Sequence, residues 1–143
     1  MSSDIFAIAG SALDAQNQRM AAIASNLANA DSIAAPGQAP YQAREVIFQP
    51  MLDSPFESPI DAQTADAGVQ VTGSVTSGAP AVQKYDPGNP LADANGYVTG
   101  SNVSQVNEMV DLIDSSNSYA ASVAMLQSAS RVDQQILSSF QVT

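Results

Sequence analysis

Along the first thirty residues, apolar and small side chains recur in alternating steps of three and four. One line runs Phe6, Ala9, Leu13, Gln16, Met20, Ile23, Leu27, Ala30, with Gln16 its single polar member. Heptad spacing of this kind places every member on one narrow helical stripe, the seam of a coiled coil. The opposite face carries Ser11, Gln18, Ser25 and Asn29, which are small and polar but uncharged. A solvated helix usually displays Glu and Lys there. Small uncharged residues instead predict close approach by a second and a third helix. Ser2, Ser3 and Asp4 precede the first apolar residue as candidate caps, and Pro36-Gly37 blocks continuation. A helix so dependent on packing is expected to be poorly ordered in the free monomer.

Between residues 36 and 100 the pattern changes. All eight prolines fall here, with seven of the eight glycines. Three β-like runs lie between them: 41–49 (YQAREVIFQ), 68–75 (GVQVTGSV, alternating Val69, Val71, Gly73, Val75) and 81–85 (AVQKY). Residues 50–67 are rich in proline and acid and carry no basic residue, which predicts a mobile loop. Residues 85–98, YDPGNPLADANGYV, are dense in turn chemistry. Tyr85, Pro87, Gly88, Asn89, Pro90 and Gly96 are the candidates for a structured loop.

Helical spacing returns from Asn102 to about Phe140, where Asn102 and Gln105 resemble a capping box. One heptad line runs Met109, Leu112, Ser116, Tyr119, Val123, Leu126, Ser130, Asp133, Leu137, Phe140. A second stripe holds Met125, Ala129, Val132 and Ile136. Two stripes predict more than one neighbour. The expected fold is α+β: long N- and C-terminal helices pairing as a coiled coil, with a small β-rich, loop-rich middle. The expected units are 1–35, 36–100 and 101–143.

Four basic against fourteen acidic residues give a formal net charge of −10. Phosphate binding needs clustered Lys and Arg, so nucleic acid is not an expected partner. Cys, His and Trp are absent. Thiol chemistry and the ordinary Ser-His triad are thereby removed, along with the commonest transition-metal ligands. Glu108, Asp111 and Asp114 share a helix face, but without a His, Cys or basic partner they read as an exposed or intersubunit acidic face. Asp86, Asn89, Asp93 and Asn95 lack the closing Glu of a calcium loop and read as turn chemistry. There is no GxGxxG or Walker loop for a nucleotide. Met20, Met109 and Met125 read as packing residues. No enzyme, cofactor, metal or small-molecule substrate is expected. The N-terminus lacks a basic n-region, residues 5–9 are too short for a secretory h-region, and no run approaches the ~20 residues of a membrane span.

The N-terminal stretch resembles the bacterial flagellar axial proteins, the rod, hook and hook-associated family. Ala15-Gln16, Arg19-Met20 and Ala24-Ser25-Asn26-Leu27-Ala28-Asn29-Ala30 carry the likeness. YDPGNPLADANGYV, followed by Asn107-Glu108-Met109-Val110-Asp111-Leu112-Ile113, narrows it to the proximal-rod branch. The chain departs at Asn117, Ala120 and Ser122, where the family commonly shows Arg, Gln and Asn. The resemblance implies a non-enzymatic subunit of the basal-body rod, periplasmic and exported without a cleaved signal. Its implied partners are copies of itself, other rod proteins, and neighbouring basal-body and export-apparatus components. The expected subunit interface is the helix seams: Phe6, Leu13, Gln16, Arg19, Met20, Ile23, Asn26, Leu27, Asn29, Met109, Leu112, Tyr119, Val123, Leu126, Arg131 and Leu137. Arg19 and Arg131, the only cations in the two helices, are solvated charges or intersubunit ion-pair partners. A soluble adaptor or export-associated binding protein of the flagellar secretion system, docking through the same helices, is the alternative.

Overall fold

The computed structural model describes residues 2–51 and 68–140. Helix α1 spans Ser2–Ala28 and helix α2 spans Gln105–Phe140. Five strands lie between them: β1 Ile33–Ala34, β2 Arg44–Met51, β3 Gly68–Thr76, β4 Val82–Tyr85 and β5 Tyr97–Gly100. They form two small antiparallel sheets, β1-β5-β4 and β2-β3. The architecture is α+β. The stretch expected as a mobile loop lies outside the described residues, except for Pro50 and Met51, which complete β2.

The helices run antiparallel because the chain reverses between them at a fixed point. Directly after α1, Ile33 pairs with Gly100 and Ala34 with Thr99, so β1 and β5 tie the end of one helix to the approach of the next. Ser101 completes the tie: its N–H donates to the Ser32 carbonyl at 3.1 Å and its Oγ to the Ala30 carbonyl at 2.5 Å. Periodicity did not reveal these two strands, since a two-residue strand and a four-residue strand inside a turn-rich segment leave no pattern to read.

Along α2 one line of buried and half-buried positions runs Leu112, Ser115, Tyr119, Ser122, Leu126 and Ala129, alternating large and small at heptad steps. α1 is the element they pack against. Val123 and Ser130 lie half-buried beside this line, whereas Met109 and Leu137 stand outside it, exposed. The expected line thus holds half-buried residues at Leu112, Tyr119, Val123, Leu126, Ser130 and Asp133, and is corrected at Ser116, which is exposed while Ser115 is buried.

α1 packs its other side on the β2–β3 hairpin. Within the subunit, what approaches the small polar face of α1 is thus a β-hairpin. The Val69 N–H donates to Ser11 Oγ at 3.2 Å, and a Cβ at Gly68 would stand 3.1 Å from that same oxygen. A Cβ at Gly68 would require Ser11 Oγ and Met51 Sδ to give by a few tenths of an ångström. Val46, Phe48 and Val71 turn toward α1, while Ile47 and Val75 are exposed. The expected alternation of Val69, Val71, Gly73 and Val75 on one face is broken. Ile47 pairs with Gly73 but Phe48 with Val71, leaving Thr72 as an extra residue. One inserted residue flips the parity of everything beyond it.

Among the described residues, the fully buried apolar side chains are Ala9, Ala15, Ile23, Ala43 and Val98. Burying Ile23 and Val98 stabilises by roughly 1.5–3 kcal/mol each, and the alanines by much less. With so thin a core, the polar contacts between elements carry an unusual share of the specificity.

Candidate functional site

Two features stand out: a polar joint where α1, β2 and α2 meet, and a set of exposed apolar side chains on α2. Asn26 is the centre of the first. It is 1% exposed, and its amide uses its full hydrogen-bonding capacity. Nδ2 donates to the Arg44 carbonyl and to Glu108 Oε1, both at 2.9 Å. Oδ1 accepts from the Arg44 N–H at 2.9 Å and from the Tyr41 hydroxyl at 3.1 Å. The side chain thus holds both backbone groups of the first residue of β2, as a neighbouring strand would. It also reaches α2. Ser25 Oγ lies 3.1 Å from the Tyr41 hydroxyl. Asn26, expected at a subunit interface, is taken up inside the subunit, because the turn after α1 returns β2 across its last turns.

Asn102 repeats the device. Its Oδ1 accepts from the Ala43 N–H at 2.7 Å, and its Nδ2 donates to the Ala79 carbonyl at 2.9 Å. The capping-box expectation is thereby corrected. The helix starts later, with the Ser104 carbonyl accepting from Glu108 N–H, and Gln105 Nε2 reaches Asp31 Oδ2 at 2.9 Å. The Ser2, Ser3 and Asp4 cap is corrected as well, since α1 already includes these positions.

Beside Asn26 a groove of about 470 Å³ opens between the helices and β2, lined by Arg19, Arg44, Glu45, Phe48, Glu108 and Asp111 among others. Arg19 lies 3.9 Å from Asp111, and its guanidinium carbon stands 6.0 Å from the Phe48 ring centre. Both charged side chains are well exposed, so the pair contributes under about 1 kcal/mol. Arg19 thus stays solvated and faces an acid of its own chain. Arg131 is exposed. Glu108 is half-buried rather than part of an open acidic face. Burial first, then Asp111 and Glu45, raise its carboxyl above the ordinary value of 4.5, against the lowering effect of the Asn26 hydrogen bond.

The remaining seam candidates divide by burial. Ile23 is buried, while Phe6, Leu13, Gln16, Met20, Leu27, Asn29, Leu112, Tyr119, Val123 and Leu126 are half-buried. Gln16 Oε1 and Ser115 Oγ are buried without a hydrogen-bond partner. α2 also carries exposed apolar side chains in two groups, Val106, Val110 and Ile113 near its start and Met125, Val132 and Ile136 toward its end, each about half exposed or more.

The turn-rich loop has a fixed path. Asp86 N–H bonds to the Gly96 carbonyl at 2.9 Å, and Asn89 Oδ1 accepts from the Leu91 N–H at 3.0 Å. Asp93 Oδ1 accepts from the N–H groups of Asn95 and Tyr97 at 2.8 and 2.9 Å. Gly96 has φ +82°, and the Tyr85 and Tyr97 rings meet edge to face at 5.3 Å. Pro87, Gly88 and Pro90 lie exposed on the turn, outside any shared site with the joint. Sequence reasoning missed Tyr41, Arg44 and Asn102 as joint residues. The one hint was Asn26 itself, polar and set between the stripe residues Ile23 and Leu27.

Comparison with known proteins settles the family. Residues 6–32 match the family described as flagella basal body rod protein, and residues 94–139 match the flagellar basal body rod FlgEFG protein C-terminal family. The chain is 48% identical over 125 residues to the flagellar basal-body rod protein FlgC of Salmonella typhimurium, covering 86% of each chain. It belongs to the FlgC family of flagellar basal-body rod proteins. The FlgC proteins of Yersinia enterocolitica and Borreliella burgdorferi are 46% and 33% identical, over 86% and 85% of this chain and 86% of each relative. The function that follows is structural, that of a rod subunit. Both matched segments coincide with the helices, and the second begins inside the turn-rich loop.

Proposed function

We propose that this chain builds the proximal rod, where helices of other copies and of other rod proteins cover the exposed apolar side chains of α2. The observation that carries the reading is that exposed set. Val106, Val110 and Ile113 lie near the start of the helix and Met125, Val132 and Ile136 on another side toward its end, and among the described residues each is about half exposed or more. A helix apolar on two faces is built for two neighbours. Head-to-tail contacts that do not close a ring generate a helical array, the geometry of a drive shaft that transmits torque. In this reading residues 1–35 and 101–143 form a coiled-coil inner layer in the periplasmic part of the basal body, and 36–100 form an outer unit. The heptad spacing of the inward positions of α2 supports the coiled coil, and the resemblance supports export without a cleaved signal.

The test is complementation of a deletion strain with Ile113→Glu or Val132→Glu, followed by electron microscopy of basal bodies and a motility assay. Both sites are exposed in the subunit, so folding stability is expected to change by under about 0.5 kcal/mol. Rods are expected to be lost. Complete rods and normal swimming with both variants would reject the interface.

A further inference from the structure

The groove beside Asn26 gathers charged side chains from three elements. Glu108 and Asp111 enter from α2, Arg44 and Glu45 from β2, and Arg19 from α1. The remaining polar wall, with Asn102, Ser104 and Asn107, does not titrate. Asp111 has a cation within 3.9 Å, whereas Glu108 is held by a neutral donor, Asn26 Nδ2 at 2.9 Å. That same amide holds both backbone groups of Arg44. An ionised Glu108 therefore places a partly desolvated charge in a groove it shares with two further carboxylates and with Arg19 and Arg44, at the joint where Asn26 ties β2 to α2. A neutral Glu108 keeps an oxygen able to accept from Asn26 and removes the repulsion.

We propose that Glu108 is an acid-strengthened latch: the joint between the β2–β3 hairpin and the helix pair tightens when Glu108 takes up a proton and loosens when it ionises. Burial, Asp111 and Glu45 hold the folded carboxyl above 4.5, and an unfolded chain returns it to that value. The folded state thus binds the proton more tightly. Its stabilising contribution is complete below the unfolded value and is lost as pH rises through the folded one. The latch is independent of assembly.

The experiment compares thermal unfolding of the full chain with that of Glu108→Gln between pH 4.5 and 8. Gln keeps an acceptor oxygen and never ionises. The variant is expected to melt higher than the parent at pH 8, by about 3 °C. That gap should close as pH falls toward 4.5. A gap that is constant, or that grows in acid, overturns the latch. A carbon-13 NMR titration of the parent chain decides the matter even if the variant misfolds. The Glu108 midpoint should lie above 4.5 and move down in Glu45→Gln; a midpoint at or below 4.5 overturns the proposal.

Discussion

At the residue scale, one amide does the work that several apolar side chains do in a larger core. Asn26 saturates its four hydrogen-bonding positions against Tyr41, both backbone groups of Arg44, and Glu108. Replacing it by Leu leaves the Arg44 N–H and carbonyl facing an apolar group in a buried position. A buried group left without its partner costs roughly 1–3 kcal/mol, so Asn26→Leu is expected to destabilise by about 2–4 kcal/mol. Urea unfolding checks this, and a loss under 1 kcal/mol would show that the joint is dispensable. Two glycines offer an internally controlled comparison. Gly37 and Gly96 both have φ +82°, but a Cβ at Gly37 meets open space, whereas at Gly96 it would stand 3.0 Å from Tyr85 Cε2. Gly37→Ala should cost about 1 kcal/mol from backbone strain alone. Gly96→Ala is expected to cost about 1 kcal/mol more, because the ring must also move.

At the element scale, the contact between α1 and α2 is uneven along its length. Near the chain reversal it is cross-linked by Asn26–Glu108, Gln105–Asp31 and the Ser101 ties. Farther along, the serine hydroxyls of α2 bond within their own helix, as Ser122 does to the Ser118 carbonyl. Between the two regimes lie the unpartnered Gln16 Oε1 and Ser115 Oγ. Removing both with Gln16→Met and Ser115→Ala keeps the volume nearly constant and eliminates buried unmet polarity. Stability should rise by about 1–2 kcal/mol, read as a shift of the urea midpoint without a change in slope. A drop in stability would mean that these atoms make contacts essential to the pair. The hairpin obeys a different logic. Two strands alone are marginal in water, so β2 and β3 depend on their α1-facing residues, Val46, Phe48 and Val71.

At the scale of the whole molecule, charge opposes compaction. The chain carries −10 with only four cations, and one of those, Arg19, is paired with Asp111. Surface repulsion of this size is screened by salt over about 8–10 Å near physiological ionic strength. Raising sodium chloride from about 0.02 to 0.3 M is therefore expected to raise the thermal midpoint. A falling midpoint would show that attractive pairs outweigh the repulsion. The same acidity sits poorly with nucleic acid, while the exposed apolar side chains of α2 suit close packing of helices.

What the residues alone determined is whatever depends on local periodicity. Heptad steps marked two long helices, prolines and glycines marked the break between them, and Asn95-Gly96 marked a turn. The motifs of the helices and of the turn-rich loop were enough to point to the flagellar rod, since they are continuous in sequence. Which faces meet was decided only by the fold. The bulge at Thr72 reversed the strand parity, the reversal from Ile33 to Gly100 set the helices antiparallel, and Asn26, Tyr41, Arg44, Asn102 and Glu108 came together from four separate stretches. Periodicity reports which way a side chain points along its own element. It holds no information about which neighbour arrives there, because that depends on where the chain turns back.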